Sequence, residues 1–328
     1  MAACNKLLFA TIILSAASYI CTVTFNALSA VAQKGLFYTT ASNISDKYSL
    51  DVTPAGWTFS IWSVIYIWNG IWIVYAVSTL FRRNKQDYVY INPGIHSFEF
   101  FVLWILNNII NIGWLFLWDR EYLIFSNVFL ALIPITCFMM LQKSYRSCYR
   151  HGALLSENNK VDLWCTRILV HNGLAMYATW TSIATVINFG IVLKYKIPIQ
   201  DPEVSNMVLC LVFIALILWF LMETFLFEKY VRYTFTIYPV AIVASVGVFS
   251  GRSQSSPLTE TDIINVVLIA VSSAACLLRF VLIFSCHKLR PLFSEKNLHI
   301  AKGNRHATKE DLQVNGHTNS VALEMMDS

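Results

Sequence analysis

The most informative shortage in this sequence is charge. Only 13% of its 328 residues are Asp, Glu, Lys or Arg, whereas 56% are hydrophobic. A water-soluble domain carries about 25% charged residues, so the chain lacks the polar surface that water requires. Its apolar residues form blocks long enough to cross roughly 30 Å of hydrocarbon, which takes about 20 helical residues. The composition therefore predicts an all-α, polytopic membrane helical bundle.

Other kinds of chemistry are also missing. The sequence has no phosphate-binding GxxxxGK[ST] loop, no GxSxG, no HExxH and no CxxC pair, so we expect no enzymatic activity and no metal site. No Asp or Glu lies deep in an apolar block, although proton relays and many ion-coupled carriers need such groups. The net charge of +5 lies in loops and forms no basic stripe, so we expect no nucleic-acid partner.

The apolar blocks predict about eight transmembrane helices. They lie at about residues 7–32, 57–81, 98–118, 122–142, 163–193, 207–227, 231–250 and 263–286. The seventh block is interrupted by Pro239 and begins with Arg232. We expect Arg167, Glu223 and Arg279 to lie near the ends of their helices, where a long side chain can reach the interface.

The basic residues then predict the orientation. Sixteen Lys and Arg fall on the side that holds both termini and six on the other, with two inside the blocks. The positive-inside rule places the side with sixteen in the cytoplasm. The only N-x-S/T sequon, at Asn43, lies on the opposite side, so we expect Asn43 to be glycosylated and the protein to reside in the plasma membrane or secretory pathway.

Three blocks carry aromatic and amide side chains at helical spacing. They are Trp57, Phe59, Trp62 and Tyr66 in the second block, Asn111 and Trp114 in the third, and Tyr177, Trp180 and Asn188 in the fifth. Phe59, Trp62 and Tyr66 share one helix face, as do Asn111 and Trp114, and also Tyr177, Trp180 and Asn188. The predicted topology brings all three sets to the outer half of the membrane. An interfacial aromatic belt with core packing would explain the rings but not the amides. An aromatic cavity with a few amides suits a flat, mostly apolar ligand.

The same residues carry a family resemblance. The motifs are Pro54-x-x-Trp57-x-Phe59, Asn111-x-x-Trp114, and Tyr177-x-x-Trp180 followed by Asn188. They resemble the tryptophan-rich sensory protein and translocator protein family (TspO/MBR), over about residues 7–193. The resemblance implies a five-helix bundle whose ligand cavity is capped by the loop between the first two helices. It also implies tetrapyrrole ligands such as porphyrin or haem, or sterols.

We therefore predict three regions. Residues 1–200 form a TspO-like five-helix domain, residues 201–286 add three helices that pack beside the cavity without lining it, and residues 287–328 form a disordered cytoplasmic tail. The favoured function is binding of a small hydrophobic ligand in the bilayer, as a sensor or carrier, by a monomer or a homo-oligomer. A membrane transporter and a heptahelical receptor with a cleaved first helix stay open, and porphyrin degradation is the residual enzymatic alternative.

Overall fold

The computed structural model describes residues 2–84, 87–197, 199–252 and 257–293. Most of the predicted disordered tail lies outside these residues. Within the described ranges the ordered structure is helical, and the only strand-like pairing is a single bridge between Arg83 and Tyr88. The predicted all-α bundle is confirmed.

The helices follow the order expected from the apolar blocks. They are α1 Ala2–Ala30, α2 Ala41–Lys47, α3 Ile61–Ser78, α4 Phe98–Asp119, α5 Leu123–Asn158, α6 Lys160–Cys165, α7 Asn172–Lys196, α8 Asp201–Leu221, α9 Glu228–Val231, α10 Ile237–Gly251 and α11 Glu260–Leu289. A 3-10 turn, Gly56–Ser60, leads into α3. Two π-helical segments, Thr166–His171 and Met222–Leu226, join α6 to α7 and extend α8.

Seven of these helical stretches are long and apolar enough to cross a membrane, so the chain is an integral multi-pass membrane protein. The helix of the seventh predicted block, α10, has only 15 residues, or about 22 Å at 1.5 Å per residue. Pro239 does not interrupt it, because α10 begins only at Ile237. Proline in the first helical turn removes no intrahelical hydrogen bond.

The first five long helices close into a ring. α1 packs against α3 and α4, α5 packs against α4 and α7, and α7 returns to α3. Of the added helices, α8 and α10 contact α7, α9 contacts α5, and α10 also contacts the 3-10 turn before α3. α11 packs on α8 and α10. Half of the most apolar window of α4 is buried but only 17% of that of α11, so α4 is central and α11 presents most of its surface to lipid.

The loops gather at two opposite ends, as the predicted topology requires. At one end, which we call the capped end, the segment between α1 and α3 meets the α4–α5 connection through the Lys47–Glu121 ion pair. It meets the end of α7 through the Lys194 ammonium, which donates to the Ser49 carbonyl. At the other, which we call the basic end, Arg82 pairs with Asp162. The predicted loop between the fourth and fifth blocks is instead helical, because α5 continues to Asn158.

Three charged residues within the helices near the basic end are buried, so the expectation that they reach the interface is wrong. Arg167, Glu223 and Arg279 are 7%, 0% and 2% exposed. Arg167 lies 4.2 Å from the ring centre of Tyr233, and Arg279 lies 3.6 Å from a Glu223 carboxylate oxygen. Arg167 and Glu223 both fall in π-helical segments, which insert an extra residue per turn and change the face that a side chain occupies.

Candidate ligand-binding site

A hydrogen-bond network joins four helices of the ring. The Tyr66 hydroxyl donates to Asn26 Oδ1 at 2.8 Å, and Asn26 Nδ2 donates to Asn111 Oδ1 at 2.8 Å. Asn111 Nδ2 in turn donates to the Tyr177 hydroxyl at 3.0 Å. Three predicted site residues, Tyr66, Asn111 and Tyr177, are thus brought together. Both the oxygen and the nitrogen of the Asn111 amide, however, form hydrogen bonds within the protein. Asn26 was missed from the sequence, although an asparagine within an apolar helix signals a buried partner.

Trp62 lies at the centre of an aromatic cluster. Its ring centre is 5.9 Å from that of Trp114, with the planes 27° apart, and 5.6 Å from that of Tyr66, with the planes 18° apart. The rings of Tyr177 and Trp180 meet it edge-on, each at 6.1 Å. Four predicted site residues from three helices therefore surround Trp62, which is itself a predicted site residue. Their nearly parallel members, Trp62 and Trp114, form a wall.

Two cavities lie on either side of this wall. Phe59, Trp62 and Trp114 border both of them. The larger has a volume of about 540 Å³ and lies between α1, α3, α4 and the capping segment. The smaller has a volume of about 60 Å³ and reaches α7 through Trp180 and Asn188. A drug-sized ligand needs roughly 300–1,000 Å³, so the larger cavity suits one and the smaller does not.

The smaller cavity is bordered by buried polar atoms that have no partner in the described structure. The indole nitrogens of Trp114 and Trp180 have no acceptor, and Asn188 Oδ1 has no donor. Asn188 uses only its Nδ2, which donates to the backbone of its own helix at Ala184. Buried polar groups are almost always hydrogen-bonded. Two donors and one acceptor are therefore available to a molecule that enters this space.

Polar contacts hold the capping segment over the cavities. The backbone N–H groups of Tyr38 and Thr39 donate to Asp119 Oδ1, and Trp118 donates to the backbone carbonyl of Ala41. Lys47 lies 2.6 Å from the Glu121 carboxylate. Its ammonium donates to that carboxylate and lowers the pKa of Glu121 below the ordinary carboxyl value. The cap is thus held by charge-assisted hydrogen bonds, and the Lys47–Glu121 pair is exposed enough for its protonation to follow the pH of the solvent.

Trp57 stands apart from the other predicted site residues. Its side chain is 51% exposed and its indole nitrogen donates to Ser250 Oγ at 2.9 Å. It borders neither cavity. The tighter winding of the 3-10 turn that holds it places Trp57 off the face shared by Phe59, Trp62 and Tyr66.

Helix α10 contributes to the site, although we expected the added helices to pack beside it. Ala244 of α10 borders the smaller cavity, so that expectation is wrong there. The Gly247 carbonyl accepts a hydrogen bond from the Ala55 N–H, and a Cβ on Gly247 would fall 2.3 Å from Thr58 Oγ1. The missing side chain lets α10 approach the turn that begins α3.

The exposed side chain of Asn43 lies on α2, on the outside of the cap, and its Nδ2 donates to Thr39 Oγ1 at 3.0 Å. The hydroxyl-bearing residue of the sequon, Ser45, faces inward and borders the smaller cavity. No group of three or more His, Cys, Asp or Glu in the described residues could hold a metal ion.

The comparisons with known proteins agree with this architecture. A family model described as "TSPO-like protein" matches residues 12–284. The match begins within α1 and runs into α11, so it includes both the ring and the added helices. No curated protein and no solved structure matches the chain significantly.

Proposed function

Because the chain belongs to the TSPO-like family, we propose that it binds a flat, mostly apolar molecule inside the bilayer and acts as its sensor or carrier. A tetrapyrrole such as porphyrin or haem, or a sterol-like lipid, has the required shape. The role is one of binding and not of catalysis.

One observation carries the proposal: the stacked wall of Trp62 and Trp114 faces a cavity of about 540 Å³ beneath the cap. An aromatic ring attracts a parallel flat ligand by about 0.5–1.5 kcal/mol beyond the burial of apolar area. Asn26 and Tyr66, which are hydrogen-bonded to each other, border the same cavity, and their oxygen atoms can accept a further hydrogen bond from the ligand.

The smaller cavity supplies a second set of contacts. Trp62 borders both cavities, and we expect rotation of its indole to join them. The unpartnered nitrogens of Trp114 and Trp180 and the Asn188 carbonyl would then face the ligand. Ring nitrogens and carboxylates of a porphyrin, or the hydroxyl of a sterol, offer partners for these groups.

The alternatives have weaker support. A receptor with a cleaved first helix conflicts with the packing of α1 against α3 and α4, and with a family match that begins at residue 12. The buried Glu223–Arg279 pair in the added helices is the one observation that agrees with transport, since ionisable residues within a membrane can mark a transport path. The same Arg279 also donates to the carbonyls of Val231 and Thr234, which gives the pair a structural role.

A pair of tryptophan substitutions tests the binding proposal. We expect Trp62→Ala to weaken binding of protoporphyrin IX by about 2 kcal/mol, or about 30-fold in Kd, because it removes the stacking wall and its buried area. Trp57→Ala is the matched control and should change Kd less than twofold, because Trp57 borders neither cavity. Soret-band titration of the purified full-length protein in detergent measures both.

Equal Kd values for the wild type and a folded Trp62→Ala variant would contradict the proposal, and thermal melts verify folding. Asn188→Leu separates the ligand classes. It removes a polar contact at similar volume, so it should weaken porphyrin binding more than sterol binding.

A further inference from the structure

A second large cavity lies at the basic end, outside the ligand site described above. It is an open cavity of about 730 Å³, bordered by residues of the loop after α3, the end of α5 and the start of α6. The extension of α5 beyond the expected membrane crossing forms one of its walls, through Leu154, Leu155 and Asn158.

One side of this cavity carries hydrogen-bond donors and positive charge, which suit an anion. Arg82 and Arg83 both border it, together with the amides of Asn158 and Asn159. These amides donate to the Leu154 carbonyl and the Asp162 carboxylate, and each NH2 group has a second N–H to donate. Guanidinium groups and amide N–H groups are the usual partners of phosphate oxygens.

The two arginines are held differently. Arg82 uses its terminal nitrogens on Asp162, at 2.5 and 3.3 Å, while its buried Nε has no partner in the described structure. Arg83 donates to the Tyr88 hydroxyl at 2.6 Å and lies 4.1 Å from the centre of that ring. Within the described residues Arg83 forms no ion pair with a carboxylate. Arg82 is thus paired with a carboxylate, whereas Arg83 is held by a phenol and presents a positioned positive charge at the cavity.

The other side of the cavity is aliphatic. Leu154 and Val161 border it and are 40% and 64% exposed. No aromatic ring is among the residues that line it in the described structure, so a nucleobase would find nothing to stack on. A phosphate-bearing molecule with a hydrocarbon part fits both sides.

The depth of the cavity agrees with a lipid headgroup. The stretch Gly56–Ser78 has 23 residues, or about 34 Å, which is close to the hydrocarbon thickness of roughly 30 Å. Arg82 follows four residues later. The Tyr75 hydroxyl of α3 donates to the Asp162 backbone carbonyl at 3.4 Å, which keeps the Arg82–Asp162 pair beside the end of the helix. The cavity therefore lies at the level of the headgroups.

We propose that the basic-end cavity binds the phosphate headgroup of an anionic phospholipid from the adjacent leaflet. Arg83 and the amides hold the phosphate, and Leu154 and Val161 receive the first methylenes of the chains. The site is independent of the aromatic cavities at the capped end.

The test uses purified full-length protein in detergent and short-chain lipids, with binding read by isothermal titration calorimetry. We expect dioctanoyl phosphatidylglycerol to bind saturably and at least tenfold more tightly than dioctanoyl phosphatidylcholine. Arg83→Gln should weaken phosphatidylglycerol binding about tenfold. Arg290→Gln, which removes the same charge from the same end but borders no part of the cavity, should change it less than twofold.

Two further arms complete the test. Inorganic phosphate should bind at least tenfold more weakly than phosphatidylglycerol, and Val161→Gln should weaken lipid binding while leaving phosphate binding unchanged. Equal losses in Arg83→Gln and Arg290→Gln would overturn the proposal in favour of general electrostatic attraction. Phosphate that binds as tightly as the lipid would also overturn it, in favour of a free-anion site. Arg83 and Arg290 carry no buried ion pair, and thermal melts confirm that the variants fold.

Discussion

The two ends of the bundle bury polar groups in opposite ways. Beneath the cap, helices meet through neutral amides, hydroxyls and indole rings, and several of these atoms have no partner. Near the basic end they meet through charges: Glu223 accepts from Tyr238 and Trp219 and lies beside Arg279, which donates to the carbonyls of Val231 and Thr234.

This difference in the buried polar groups indicates a different role for each end of the bundle. The charged cluster holds an irregular stretch between α9 and α10, whose backbone carbonyls would otherwise be unpaired in a membrane. Asn172 also holds this stretch, since its amide nitrogen donates to the Tyr233 carbonyl and its amide oxygen accepts from the Phe235 N–H. Beneath the cap, the indole nitrogens of Trp114 and Trp180 and the Asn188 carbonyl have no partner in the described structure. We infer that the basic end stabilises the fold while the capped end can exchange internal contacts for a ligand.

The largest expected effect comes from breaking the charged cluster. Arg279→Met leaves the Glu223 carboxylate buried without a counter-charge and removes the donors to Val231 and Thr234. We expect a loss of about 3–5 kcal/mol in the free energy of unfolding, measured by thermal and denaturant melts in detergent. The double variant with Glu223→Gln should recover part of this loss.

The exposed Arg290 provides the control, because Arg290→Met removes an arginine from the same end without touching the cluster. If Arg279→Met were as stable as Arg290→Met, the basic end would not be the stabilising one and the comparison would fail.

An intermediate effect separates partnered from unpartnered amides at the capped end. Asn111→Leu deprives Asn26 and Tyr177 of their partner, so it should destabilise the protein by about 1–3 kcal/mol. Asn188→Leu is the same substitution where the carbonyl has no partner. Its melting temperature should stay close to that of the wild type. Similar losses in both variants would mean that the Asn188 carbonyl is engaged in the folded protein.

The smallest effect concerns the cap. Because Lys47 lowers the pKa of Glu121 in the folded protein, the stabilisation from this pair is fully present above the ordinary carboxyl pKa of about 4.3. It is lost as the pH falls through the lower, folded value. The gain is small, because exposed ion pairs contribute little.

Melting temperatures measured between pH 7 and pH 3 in the wild type and Glu121→Gln should converge at the acidic end. A constant difference across this range would show that the ion pair does not hold the cap.

Much of the site could be predicted because its residues share helix faces. Phe59, Trp62, Trp114, Trp180 and Asn188 come together around one small cavity as the three- and four-residue spacings indicated. Trp57 could not be placed, since the periodicity of an α-helix does not apply across a 3-10 turn. Asn26 was missed because a single amide in an apolar helix has no periodicity of its own.

The sequence by itself determined the membrane architecture: the long apolar blocks require helices that span hydrocarbon, and the distribution of Lys and Arg sorted the loops into two ends. Only the tertiary structure decided which polar atoms are satisfied. Whether Asn111 serves a ligand or a neighbouring helix, and whether Glu223 reaches the interface or pairs with Arg279, depends on residues that are distant in the chain. Hydrogen bonds and ion pairs form over about 3 Å, and helical periodicity sets a side chain's direction without setting its partner.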